Sequence, residues 1–463
     1  MQLDRRQFLQ TFAVAGTQLP AKPATRTTTR LFLDPRVVEK STQVSMHVGK
    51  VMKDTRNPLF AEDRPWEVRY DNLYPNIHFD VAEKLYKCWY SPFTIDPSAT
   101  ETPRTSRQSI PYKPDRKREM GVCYATSKDG LRWSKPDLDL IEFQGSKKNN
   151  IVARGPHGAG VYFDPHESDP SRRYKMLLQG KSTSGAFSPD GLRWTEPVPF
   201  PSIGAIGDTH NNAIYSQNLG RYVAITRLWD RPAKQRLVGR TESIDFKTWT
   251  PAVEVMRAEA SHPENQTYAM PIFEHGNLFF GLLMIFHAPS DTVHCELAWS
   301  VDSIQWTRLE PGTPFIPKGA AGESDSGCVY AGTGPVFLDN EVRIYYGASN
   351  GPHTGWRDGF LNLARARTDG FAFAAPSGGQ GTILTKPVKL SGDLLCNIDA
   401  AGGQARIGIP GADGFSLDDA IPLRSDSTRH TCRWKKQKTE ALHGRDVQLV
   451  VELQSARAYS FLT

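Results

Sequence analysis

The sequence has no run of about 18 apolar residues, which excludes a transmembrane helix. It also has no run of five Lys or Arg, and a net charge of +6 over 463 residues gives nucleic-acid binding no particular support. The basic segment Lys113 to Arg118 reads as a solvated loop. Cysteine is sparse. Cys88, Cys123, Cys295, Cys328, Cys396 and Cys432 show neither CxxC nor Cys/His metal spacing, so no zinc site and no disulfide framework is indicated. They read as buried thiols, with a Cys88–Cys123 bridge left open. What the chain has in quantity is 38 Gly, 33 Pro, 10 Trp, 15 Tyr and 22 Phe. That composition suits many short strands joined by turns, and so an all-β protein.

The pattern Ser-x-Asp-x-x-x-Trp occurs four times, at Ser127/Asp129/Trp133, Ser188/Asp190/Trp194, Ser243/Asp245/Trp249 and Ser300/Asp302/Trp306. A degraded fifth copy follows at Asp369-Gly370 and Phe373. The aromatic positions are 61, 55, 57 and 67 residues apart, a spacing that accommodates one four-stranded propeller blade with loops. Five copies predict five blades. Physically each copy is a hairpin: Ser and Asp oxygens accept from amides just ahead, and the Trp packs back between neighbouring sheets. These residues are therefore read as scaffold and kept out of the site.

Each repeat supplies its strands. Apolar second-strand runs lie at 84–90, 173–178, 221–226, 278–287 and 341–347, each preceded by a shorter run at 74–79, 160–163, 212–215, 268–273 and 334–338. A Gly/Pro/Ser-rich stretch at 376–381 then separates a segment without Trp hairpins, whose short strands suggest a small antiparallel sandwich. The expected division is a signal and connector at 1–30, a five-bladed propeller at 31–380 and a β-sandwich at 381–463. Asp4-Arg5-Arg6-Gln7-Phe8-Leu9-Gln10 resembles a twin-arginine export signal, which implies export to the periplasm or beyond.

In a propeller the first strand of each blade lines the axis, so the residues just before those strands are expected to face an axial pocket. They include Asp71; His157; Asp208, His210 and Asn211; Glu264 and Gln266; and Glu323 and Asp325. A rim of carboxylates, imidazoles and amides suits a carbohydrate, because sugars need many directed hydrogen bonds and glycosidic cleavage needs a pair of carboxyl groups. Asp71, Asp208, Glu264 and Glu323 are the expected catalytic acids. His157, His210, Asn211, Gln266, Asp325, His353 and Trp356 are the expected substrate-binding residues, His353 for sugar hydroxyls and Trp356 for stacking. No cofactor is expected, and a central structural ion is left open.

On these residues the chain resembles the five-bladed glycoside hydrolases of families 32 and 43, the invertase and arabinanase kind, whose invertase-type members also carry a C-terminal sandwich. The resemblance places Asp71 near the family's nucleophile and Asp208 near its acid/base. Where the family carries an Arg-Asp-Pro stabiliser this chain has His157-Gly158-Ala159. That departure keeps a non-catalytic carbohydrate-binding propeller as the alternative. A sialidase-like enzyme is the second alternative, although it would need six blades and a cluster of three arginines.

Overall fold

A computed structural model describes residues 29–463 except Gln108 and Ala260. The Arg5-Arg6 segment lies outside the described residues. The fold is all-β, a five-bladed propeller joined to a β-sandwich. The first blade is built from Arg69–Asp80, Leu85–Ile95, Glu119–Ser127 and Ile151–Arg154, and the second from Gly160–Phe163, Tyr174–Leu178, Ser184–Ser188 and Val198–Pro199. Asn212–Ser216, Arg221–Asp230, Gln235–Ser243 and Val253–Met256 form the third. In the fourth, Asn265–Ala269 and Ile272–His275 both pair with Leu278–His287, followed by Thr292–Ser300 and Thr307–Arg308.

The fifth blade departs from the repeat. Cys328–Ala331 and Val336–Phe337 together make its inner edge, because the backbone between them breaks at Gly334, whose φ is 72°. Glu341–Ser349 and Gly359–Arg367 follow. Its outermost strand comes from the other end of the chain: Val51–Lys53 and Phe60–Ala61 pair antiparallel with Gly359–Arg367. The degraded fifth hairpin explains the substitution. Ala372–Pro376, where an outer strand would be expected, pairs instead with Val44–Val48 and Arg457–Leu462 in the sandwich. Phe373, in the place of the Trp, packs its ring against His47 and Tyr459.

The four intact hairpins share one local logic. At the first, Ser127 Oγ donates to Asp129 Oδ1 at 3.0 Å, and that same oxygen accepts from the amides of Leu131 and Arg132, both at 2.8 Å. The residue after the Asp is left-handed in every copy, with φ of 72° at Gly130, 77° at Gly191, 59° at Phe246 and 63° at Ser303. Glycine adopts that conformation without cost, while Phe246 and Ser303 adopt it only because the surrounding hydrogen bonds over-determine the turn.

The sandwich takes strands from both ends of the chain, so its boundaries differ from those suggested by the Gly/Pro-rich stretch at 376–381. One sheet runs Val44–Val48, Ala372–Pro376, Arg457–Leu462, Leu395–Asp399 and Asp426–Thr431, with Thr29–Leu31 also pairing Arg457–Leu462. The other runs Val38–Thr42, Gln380–Thr385, Val450–Gln454 and Gln404–Gly408. Phe32, Ile383, Leu394, Ile398, Ile407, Val451, Leu453 and Phe461 fill the space between them. All six cysteines are buried and free. The pair that approaches is Cys396 and Cys432, with sulfurs 3.2 Å apart, not Cys88 and Cys123.

Candidate functional site

The propeller axis is plugged at mid-depth. Asn76, on the first blade's inner strand, accepts at Oδ1 from the Val161 amide at 2.9 Å, the Thr333 hydroxyl at 2.9 Å and His210 Nε2 at 3.1 Å. It donates to Ala159 O at 3.0 Å. Four blades are thus pinned to one amide, and the imidazole of His210 is held fully buried and neutral, burial pushing its pKa down to about 3. His210 belongs to this plug. Asn211 is likewise structural: its Nδ2 donates to Gly158 O and Gly207 O, and its Oδ1 accepts from Thr226.

To one side of the plug opens a cavity of about 890 Å3, lined in part by Asp71, His157, Asp208 and His353. Asp71 reaches it through an irregular stretch of strand. The pairing of Arg69–Asp80 with Leu85–Ile95 shifts register twice, between Tyr70 and Leu73 and again between Leu73 and Asn76, and Leu73 and Tyr74 both have positive φ, 59° and 44°. Bulges of this kind re-aim side chains near binding sites. Burial raises the pKa of the Asp71 carboxyl, but Arg357, Arg69, His353 and His157 outweigh it and hold the group below the ordinary carboxylate range. The main partner is Arg357, whose Nη2 donates to Asp71 Oδ1 at 2.9 Å and to its carbonyl at 2.6 Å.

Asp208 faces the cavity from the loop before Asn212–Ser216, with its side chain 39% exposed. Arg227 Nη1 lies 3.4 Å from its Oδ2. Between the two carboxylates stands His157, with Nε2 3.9 Å from Asp71 and Nδ1 3.5 Å from Asp208. Burial lowers the His157 pKa despite both acids, so the ring is neutral near pH 7. Its Nδ1 sits 2.6 Å from Gln179 Oε1, and the tautomer that donates there leaves Nε2 to accept. His353 hydrogen-bonds through Nδ1 to the Tyr330 hydroxyl at 2.8 Å, and burial lowers its pKa to about 3.

The other expected site residues lie outside this lining. Glu264 pairs with His262 at 3.3 Å on an exposed loop, and Glu323 accepts from the Ala320 amide. Asp325 is buried beneath the fifth blade, held by Lys53 at 2.7 Å and the Tyr346 hydroxyl at 2.8 Å. The inner strands of the fourth and fifth blades begin at Asn265 and Cys328, and Glu264, Glu323 and Asp325, just before them, are not among the residues that line the cavity. Gln266 accepts from Arg236 Nη1 at 2.6 Å and so orients a cavity residue without lining the cavity. Trp356 donates to Ile110 O at 2.5 Å and meets the Tyr112 ring edge-on, clamping the loop that carries Tyr112 and Arg118 to the cavity.

Sequence reasoning missed the arginines. Arg69, Arg118, Arg227 and Arg236 line the cavity with Tyr112, Gln179 and Tyr268. The signal that could have found them was charge inside apolar strands: Arg227 follows the run Tyr-Val-Ala-Ile-Thr, and Arg236 is the second residue of the next strand. Among the described residues no cluster of three His, Cys, Asp or Glu has metal-binding geometry, and no helix is long and apolar enough to cross a membrane.

No family model and no curated protein matches the sequence. Among solved structures the chain is similar to BT0996 in its RGII complex, at 14% identity over 69% of this protein and 92% of that one, with a TM-score of 0.47. It is similar to a glycosyl hydrolase from Bacteroides ovatus at 14% identity, covering 68% and 94%, TM-score 0.46. A third likeness is to an N-acetylgalactosamine deacetylase from F. plautii in complex with blood group B trisaccharide, at 12% identity, 71% and 97%, TM-score 0.44. Likeness at this level assigns no activity, and the chemistry has to be read from the cavity.

Proposed function

We propose that the protein is a glycoside hydrolase acting on an oligo- or polysaccharide, with Asp71 and Asp208 as its paired carboxyl groups. The observation that supports this reading is their placement on opposite nitrogens of one neutral imidazole, in a cavity of about 890 Å3 that is open to solvent. Asp71, held ionised by Arg357 and Arg69, is the group suited to attack the anomeric carbon or to take the proton from a water that attacks it. Asp208, at the open side of the cavity, is the second carboxyl group, placed to serve the leaving oxygen. His157 Nε2 and Gln179 supply acceptors and donors for sugar hydroxyls.

The test is a set of three substitutions. Asp71→Asn and Asp208→Asn should each lower turnover of the folded enzyme by about 100-fold or more, since an amide neither attacks nor exchanges a proton; the melting temperature should stay near the parent's in Asp208→Asn and fall in Asp71→Asn, which leaves buried Arg357 without its carboxylate. Asp190→Asn, in a hairpin, should lower the melting temperature and leave kcat of the folded fraction unchanged. Parental turnover in both cavity variants would remove these acids from the mechanism. A second reading, a carbohydrate-binding propeller without turnover, is favoured by one observation: the position held by His157-Gly158 contributes no third carboxylate. Binding measured by calorimetry with no reducing ends released from any glycan would select it.

A further inference from the structure

The cavity holds more positive charge than its own acids offset. Arg69, Arg118, Arg227 and Arg236 line it against Asp71, Asp208 and Glu119, and Glu119 is already committed to a bidentate pair with Arg154 at 2.6 and 2.9 Å. Elsewhere the chain pairs its buried arginines. Of the four arginines with almost no exposed surface, Arg240 holds Glu242 at 2.8 Å and Arg357 holds Asp71 at 2.9 Å. The other two, Arg69 and Arg227, are 4% and 6% exposed and belong to the cavity. Arg69 has no carboxylate within 4 Å among the described residues, and its one hydrogen bond goes from Nη2 to Gly355 O at 3.1 Å. Arg227 donates to Tyr268 O at 2.7 Å and reaches only Asp208, at 3.4 Å.

Arg236, beside Arg227, has no carboxylate within reach either; its ion is held by Gln266 and by the faces of Trp229 and Phe286, 5.0 and 5.1 Å away. In Arg69, Arg227 and Arg236 alike the buried Nε finds no acceptor among the described residues. An unsatisfied buried donor is costly, more so when charged. Arg69 and Arg236 thus bring positive charge to the cavity lining without a carboxylate of their own. Burial disfavours the charged forms of Arg69 and Arg236, and each is further opposed by a neighbouring guanidinium, Arg357 and Arg227 respectively.

We propose that the cavity takes an acidic glycan, a sugar bearing a carboxylate or a sulfate ester, whose oxyanion seats against the guanidinium groups of Arg236 and its neighbour Arg227. This rests on the glycoside hydrolase reading of the same cavity. The guanidinium fork matches both oxyanions, whereas a neutral sugar leaves that charge without a counter-ion. Free inorganic phosphate offers the same chemistry without a sugar, and the test separates the two.

Calorimetry on the intact protein would compare a uronic acid oligosaccharide, the same oligosaccharide with its carboxyls reduced to alcohols, a sulfated oligosaccharide, and inorganic phosphate alone. At least one acidic glycan should bind about tenfold or more tighter than the reduced form, and the preference should shrink as salt is raised. Arg236→Gln should erase the preference, and Arg236→Lys, which keeps the charge but not the fork, should restore part of it. Equal affinity for the acidic and reduced glycans overturns the proposal, as does failure of every acidic glycan to bind. Phosphate binding as tightly as the best acidic glycan overturns it in favour of a free anion. Acidic binding with no cleavage sinks the hydrolase reading and leaves this one standing; cleavage without preference for acid does the reverse.

Discussion

Glu62 is an acid with almost no water around it. It accepts from the amides of Tyr70 at 2.7 Å and Gly359 at 3.2 Å, and its side chain is 7% exposed. Burial pushes its pKa up to about 7 against the opposing pull of the Tyr70 amide, with Asp358 adding to the rise and Arg104 resisting it. Because the folded pKa lies above the ordinary value, the neutral acid stabilises the fold below about pH 4.5, and that contribution is lost as pH rises through 7. At ~1.4 kcal/mol per unit the effect is on the order of 3 kcal/mol. Glu62→Gln, which can still accept both amides, should therefore raise stability at pH 8 and flatten its dependence between pH 5 and 8. Urea midpoints with the same slope against pH in parent and variant would refute this. The same scale explains what the sequence concealed. Asp71 and Asp208 stand out in the sequence as acids in polar segments ahead of apolar runs, whereas for Arg227 and Arg236, and for Arg69 on the same strand as Asp71, only the three-dimensional register decides that a charge faces the cavity.

At the scale of the element, the Asp hairpins show how a repeat is read and where reading stops. The turn chemistry was legible, since one carboxylate oxygen collecting two amides needs only local sequence. Burial of the aromatic was not, because it depends on the neighbouring blade. Trp249 is 3% exposed and packs against Phe246 and Phe200, with ring centroids at 5.1 and 6.2 Å. Trp194 is half-buried and donates to Gly191 O at 3.1 Å within its own turn. Trp249→Ala should cost ~3–5 kcal/mol, as large-to-small changes in a packed core do, and Trp194→Ala about half that or less. Chemical denaturation of the two variants checks the order; equal losses would mean that the hairpin aromatics act as a uniform set. The strands at 51–53 and 60–61 mark the limit of such reading. Val-Met-Lys and Phe-Ala are too short to carry a period, and they are strands only because the edge of Gly359–Arg367 is there to receive them.

For the whole molecule, that edge is what closes the ring, and one ion pair helps hold it. Lys53, on the closing strand, reaches Asp325 at 2.7 Å, and Asp325 is 2% exposed with the Tyr346 hydroxyl as its other side-chain partner. Removing one member of a buried pair leaves the other charge stranded, at a cost of ~3–5 kcal/mol. Lys53→Met should lose about that much, and Lys53→Met with Asp325→Asn should recover part of it. Equal stability of the single and double variants would show that the pair does not hold the closure. The overall plan was legible because the repeat announces its own period. The closure was not, because nothing in a local window ties residue 53 to residue 364.

The order of synthesis gives that closure a consequence in time. As the chain emerges, residues 51–61 appear among the first and wait for an edge that forms only after residue 367, while residues 29–31 wait for a strand that ends at residue 462. Four blades can assemble before the ring closes on Gly359–Arg367, and the sandwich closes later still, once Arg457–Leu462 has emerged. The early strands spend that interval as unpaired edges, open to the wrong partner.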